Sequence, residues 1–183
     1  MTLNDWFKKG MTIEQYIDSM AVNKEEMLQI YDNFQLSPDD RAFFETLKEK
    51  NWRVIVLTAD WCGDAMLCVP VFMRICEAAS IEMSLLIRDD NLELMDQYLT
   101  NGKSRSIPIF IFIDQDGNEQ AVWGPRAPEV QQLIDDMRSR LPDKEDPSFE
   151  AKQKEMYRNF KQRLLSDRSL WKAVSHSFRE RLS

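Results

Sequence analysis

One histidine, three cysteines and five glycines are spread over 183 residues, and each scarcity removes a class of chemistry. The single imidazole, His176, offers too few nitrogen ligands for most catalytic metal sites, and no two cysteines have the close spacing of a zinc knuckle. Metal chemistry is therefore not expected, nor is a Cys/His dyad unless the C-terminal stretch folds back to deliver that one ring. An odd number of cysteines without a regular framework argues against a disulfide-stapled secreted domain, so thiols at rest are expected. Long apolar runs of the membrane-spanning kind are missing, and Met1-Thr2-Leu3-Asn4-Asp5-Trp6 lacks the basic-then-apolar pattern of a signal peptide. A cytoplasmic protein without a membrane partner is the resulting expectation. Positive charge is also short: the net charge is -7 and the pI near 4.9, which argues against a nucleic-acid footprint for the chain as a whole.

What is present is a globular, helix-rich composition, 43% hydrophobic, arranged in three stretches. Residues 1–49 read as a helical segment packed on the domain that follows. Thr12 and Gln15 form a capping box ahead of Ile13, Tyr16, Ile17 and Met20, which recur at helical spacing. Met27, Ile30, Tyr31 and Phe34 mark one face of a helix over 24–34, and Ser37-Pro38-Asp39-Asp40 opens a third over about 38–50. Residues 50–141 change period. A strand over 53–59, a helix over 65–79 kinked at Pro70, a strand over 83–87 and a helix over 90–99 alternate, which predicts an α/β domain with its first two strands parallel. Ile109–Ile113 and Gln120–Gly124, joined across Asp116-Gly117, read as a β-hairpin, and Pro128 opens a helix ending near Arg140.

Residues 142–183 comprise a polar, proline-bounded linker and a basic amphipathic tail of two helices, about 148–165 and 168–181. From Lys152 to Ser183 there are nine Lys or Arg against three acids, a balance that suits docking on an acidic surface, the chain's own or a partner's, or simply a solvated face. Leu170, Trp171, Val174, Phe178 and Leu182 are too apolar to be left in water, so a folded-back tail or a dimer contact through these helices is expected.

Chemistry concentrates where the first strand meets its helix, in Asp60-Trp61-Cys62-Gly63-Asp64-Ala65-Met66-Leu67-Cys68-Val69-Pro70. A thiol there lies near the unpaired N–H groups and partial positive charge of a helix start, which favours the nucleophilic thiolate. Asp60 and Asp64 flank it and oppose ionisation. The order of strand, Trp61-Cys62-Gly63, Pro70, strand, helix, Ile107-Pro108, hairpin, Gly124 and helix resembles the thioredoxin fold over about half of the chain. The chain is similar to divergent single-cysteine thioredoxin-like proteins rather than to thioredoxin itself. That resemblance implies a central mixed sheet of four or five strands flanked by helices, with extra helices at both ends. It also implies a cis peptide at Ile107-Pro108 and a groove formed by Trp61, Gly63, Asp64, Ala65, Ile107 and Pro108 around a catalytic Cys62.

Two departures from the family pattern shape the functional expectation. Ala65 stands where the second cysteine belongs, with Asp64 in place of the usual proline, and Val56 stands where the family carries a buried acid. An ordinary dithiol cycle cannot run through these positions. Cys68, six residues on, lies roughly 9 Å along a helix, beyond the ~7 Å that bridged Cα atoms tolerate, so it resolves a bond to Cys62 only if the first turn unwinds. It reads instead as a small buried hydrophobe, as does Cys76. Two functions follow as expectations. The first is a monothiol thiol-disulfide oxidoreductase in which Cys62 forms a mixed disulfide with a protein or low-molecular-weight disulfide, Trp61 faces the bound group, and an external thiol, with no cofactor, completes the cycle. The second is a non-catalytic binding or adaptor module that uses the same groove. A basic tail touching nucleic acid is the weakest reading.

Overall fold

A computed structural model describes all residues 1–183. Four helices come first: α1 (Leu3–Lys9), α2 (Ile13–Ser19), α3 (Lys24–Asn33) and α4 (Pro38–Thr46). Side-chain caps start three of them. Thr2 and Thr12 each close a capping box, and Ser37 accepts from the Asp40 N–H with Pro38 in the first turn. The helix over 38–50 tightens after Thr46 into a short 3-10 stretch, Leu47–Lys50.

The sheet has four strands, β1 (Arg53–Thr58), β2 (Glu82–Ile87), β3 (Ile109–Ile113) and β4 (Glu119–Trp123), in the order β2-β1-β3-β4. β1 is parallel to β2 and antiparallel to β3, and β3 is antiparallel to β4. Val54 to Thr58 and the whole of β3 are buried, since both faces of the central strands are covered; this is why they read as continuous apolar runs rather than alternating ones. The outer edge of β2 is closed by the N-terminal segment: Met11 exchanges two backbone hydrogen bonds with Leu85, and the Ser84 hydroxyl donates to the Phe7 carbonyl. Gly10 permits this approach, because a Cβ there would lie 2.0 Å from Ser84 Oγ.

Between β1 and β2 runs α5 (Gly63–Ala79), which continues through Pro70. The helix expected over 90–99 is a single turn, α6 (Leu92–Met95), preceded by a 3-10 turn at Arg88–Asp90. Past Met95 the backbone tightens into turns, with the Gln97 and Tyr98 N–H groups donating to the Leu94 and Met95 carbonyls, and within the helix only Leu94 and Met95 are buried. α7 (Pro128–Ser139), α8 (Phe149–Ser166) and α9 (Arg168–Leu182) complete the chain.

The tail is part of the core. Phe178 of α9 lies among Phe72 of α5, Phe110 of β3 and Trp123 of β4, with ring centroids 4.9, 5.0 and 3.9 Å away. Leu170, Trp171, Val174, Phe178 and Leu182 are all buried within the chain itself. The docking is also ionic, since Asp40 of α4 accepts from Ser175 and pairs with Arg179, while Arg181 donates to the Val122 carbonyl on the edge of β4.

Gly124, which ends the hairpin, has φ +141, and a Cβ there would lie 2.2 Å from the Pro108 carbonyl oxygen. Gly124→Ala is expected to destabilise the protein by about 2 kcal/mol, the scale of a strained backbone position. A thermal or urea transition unchanged by the substitution would show that the two loops are not held this closely.

Candidate functional site

The site forms where the loop after β1, the start of α5, the segment before β3 and the loop after β4 converge. Asp60 and Trp61 make the turn out of β1. Asp60 does not face the thiol as a free charge. Its Oδ2 accepts the backbone N–H groups of Ala21 and Val22 at 2.9 and 3.2 Å, and its carbonyl accepts Asn23 Nδ2, so it ties the α2–α3 connection to the site. Trp61 is 52% exposed at the rim, with the Arg88 guanidinium 4.8 Å from its ring centroid.

Cys62 is the N-cap of α5, and its Sγ accepts the Ala65 N–H at 3.5 Å while donating to the Ile107 carbonyl at 3.5 Å. Only 9% of the residue is exposed. Burial, reinforced by the Asp64 charge, pushes the thiol up to about 11, although the N–H groups of Ala65 and Asp64 and the Arg126 charge work in the other direction. The helix start therefore does not produce a thiolate at rest. Its charge-dipole benefit is of the order of 1 kcal/mol, which desolvation of a buried sulfur exceeds.

Asp64, in the first turn of α5, is 7% exposed and pairs with Arg126, whose Nη2 and Nε lie 2.8 and 3.0 Å from the same oxygen, Oδ2. Its Oδ1 is buried without a partner. Burial raises the Asp64 pKa, with Arg126 opposing. Arg126 is held in turn by Gln131 of α7, through Nη1 to Oε1 at 3.1 Å. The chain thus carries a buried acid beside the cysteine at position 64, although Val56 is fully buried in the β1 core.

Ile107-Pro108 is a cis peptide, and both residues are buried. Ile107 faces Cys62, whereas Pro108 lies behind it under Gly124, and Ala65 contributes its N–H from within the helix. Cys68 is buried with its sulfur 3.9 Å from the Pro125 carbonyl, and Cys76 lies further along α5. Burial holds both thiols well above their ordinary value, and all three cysteines are free.

Trp61, Cys62, Gly63, Asp64 and Ile107 line one cavity of about 870 Å³, and Cys62 is the cysteine that reaches it. Its other walls are Arg88 in the turn after β2, Ser104 to Ser106, Pro125 and Arg126, and Tyr157, Arg158, Phe160 and Lys161 of α8; of these the sequence marks only Arg105-Ser106, just ahead of Ile107-Pro108, and the basic residues of the tail. Gly124-Pro125-Arg126 was legible as a loop after a hairpin, but nothing local marks Arg126 as the partner of a carboxylate 62 residues upstream. The basic excess of 152–183 was legible too, and here part of it faces the groove.

A mixed sheet flanked by helices, a cysteine capping the helix after the first central strand, and Ile107-Pro108 packed against that cysteine define a thioredoxin-like domain. The family model described as Thioredoxin matches residues 10–138, and the chain belongs to that family. Two solved structures share the fold. One is a protein of unknown function, PA1234, from Pseudomonas aeruginosa, with 13% identity, 98% of each chain covered and a TM-score of 0.62. The other is an HIV 4E10 epitope-scaffold, with 16% identity, 100% of this chain and 96% of that chain covered and a TM-score of 0.60. No curated protein has a significantly similar sequence.

Proposed function

We propose that this protein is a monothiol thiol-disulfide exchanger acting through Cys62. The observation that carries the reading is the position of Sγ on the floor of the cavity, between the N–H groups of α5 and the Ile107 carbonyl, with Asp64 and Arg126 beside it. In the first step the Cys62 thiol loses its proton, to Asp64 or to solvent, and its sulfur attacks one sulfur of a disulfide. That S–S bond breaks, the released thiolate takes up a proton, and a mixed disulfide remains on Cys62. An external thiol, as thiolate, then attacks the substrate-derived sulfur and releases Cys62, which takes up a proton. Electrons balance between the incoming disulfide and the external thiol, and no cofactor is used. Cys68 takes no part, since its sulfur is buried against the Pro125 carbonyl.

A thiol near 11 is a slow nucleophile at neutral pH. Relative to an ordinary thiol the thiolate fraction falls roughly 100-fold, while intrinsic nucleophilicity rises only about 10-fold. The native protein is therefore expected to form one adduct with glutathione disulfide, on Cys62, with a rate that keeps rising with pH up to about 11. Intact-mass and peptide analysis across that range provides the check. A rate that levels off near pH 8, or adducts appearing first on Cys68 or Cys76, would contradict the assignment.

The same elevated pKa favours a second reading, a thioredoxin-fold binding module that uses the groove without turnover. In that case Cys62→Ser leaves the cellular role intact, whereas the exchange reading requires its loss together with the mixed disulfide.

A further inference from the structure

The proposed exchange leaves the cavity's charge unused. Five cations, Arg88, Arg105, Arg126, Arg158 and Lys161, line it together with one carboxylate, Asp64. This is the reverse of the chain as a whole, whose net charge is -7. The cations come from separated parts of the fold: the turn after β2, the segment before β3, the loop after β4 and one face of α8.

Arg126 is committed to Asp64, and three of the others pair with acids elsewhere. Arg88 pairs with Asp89, Arg105 with Asp96 and Lys161 with Glu26, at 3.0, 2.8 and 3.8 Å. None of those three carboxylates lines the cavity. The Arg88 and Lys161 pairs each have at least one member more than a third exposed, the kind of surface contact that contributes little and exchanges readily, whereas Arg105 holds Asp96 through two contacts, Nε at 2.8 Å and Nη2 at 3.1 Å. The Arg158 guanidinium has no hydrogen bond or ion pair within the chain, nor do the hydroxyls of Ser104 and Ser106. Tyr157, 43% exposed, and Trp61 offer ring surface for the uncharged part of a ligand.

Asp64 lines the cavity, is more than nine-tenths buried and has an Oδ1 without a donor. The volume of about 870 Å³, closed on one side by α8 and bordered by Val22 and Asn23, lies in the range of small-molecule pockets.

We infer that the cavity selects a small, multiply carboxylated thiol or disulfide: carboxylates meet Arg158 and Lys161, and the sulfur reaches Cys62. The inference rests on the exchange reading for its sulfur chemistry, but the charge selection stands on the cavity alone.

Two measurements separate these parts. The first compares mixed-disulfide formation at Cys62 for glutathione disulfide, neutral 2-hydroxyethyl disulfide and cationic cystamine, each normalised to its rate with a small free thiol. Wild-type protein at low salt is expected to favour glutathione disulfide over cystamine by 10-fold or more. Arg158→Glu combined with Lys161→Glu should remove or reverse that order when each rate is taken relative to the neutral reagent on the same protein, and added salt should compress it. The second measures binding of unreactive S-methylglutathione and of its diethyl ester to the Cys62→Ser protein by calorimetry, with the diacid expected to bind at least 10-fold more tightly. Diacid selection in calorimetry without any Cys62 adduct would retain the anion pocket and overturn the exchange. Adduct formation indifferent to charge, in wild type and double variant alike, would retain the exchange and overturn the pocket.

Discussion

Arg126→Ala is expected to lower the unfolding free energy by about 3–5 kcal/mol, the cost of leaving a buried charge without its partner. Both side chains of the pair are shielded, Arg126 17% and Asp64 9% exposed, and the two guanidinium contacts are 2.8 and 3.0 Å. Without Arg126, Asp64 either keeps an uncompensated charge or takes up a proton, which burial already favours. With Asp64 still charged, the change should also slow alkylation of Cys62, because Arg126 is one of the groups holding that thiol down. Adding Asp64→Asn to Arg126→Ala removes both charges. It is expected to recover part of the stability and to bring the Cys62 pKa below that of the native protein, since the Asp64 charge raises it more than Arg126 lowers it. Urea denaturation and the pH profile of Cys62 alkylation provide the readouts. An Arg126→Ala protein as stable as the native one, or a double variant no better than the single, would mean that the pair is not buried as described.

Loss of the last helix should have the larger effect on the whole molecule. Phe178→Ala is expected to cost about 3–5 kcal/mol, at the upper end for a buried aromatic, because its ring touches Phe72, Phe110 and Trp123 together. Removing residues 167–183 takes away that ring with Leu170, Trp171, Val174 and Leu182, and leaves the apolar faces of α5 and β4 uncovered. Since a domain of this size is stable by only about 5–15 kcal/mol, the shortened chain is expected to lose its cooperative unfolding transition. Calorimetry tests this directly. A sharp transition in the shortened protein, near that of the full chain, would reduce α9 to an appendage.

These two predictions concern parts of the chain that sequence reasoning treated differently. The tail was legible as two helices with a buried-type face, because periodicity is local. That Phe178 completes an aromatic cluster between α5 and the sheet was not, since its partners lie more than 50 residues upstream. Asp64 was visible as an early-helix acid flanking Cys62. Its role as half of a buried ion pair depends on a loop that the hairpin brings back to the start of α5. Asp60 was legible as a second charge opposing ionisation, yet its carboxylate is occupied by the backbone of Ala21 and Val22.

By itself the amino-acid order determined the strand-turn-helix around Trp61-Cys62-Gly63, the hairpin after Ile107-Pro108, most of the helices and the absence of a second cysteine at position 65. Those are properties of neighbouring residues: caps, turn types, apolar period and identity at a fixed spacing. Tertiary structure alone decided that Cys62 is a buried thiol rather than a thiolate, that Arg126 answers Asp64, and that five cations from four parts of an acidic chain line the cavity that Cys62 reaches. Desolvation and charge pairing depend on which surfaces meet. That depends on packing between residues far apart in the chain, which no local spacing records.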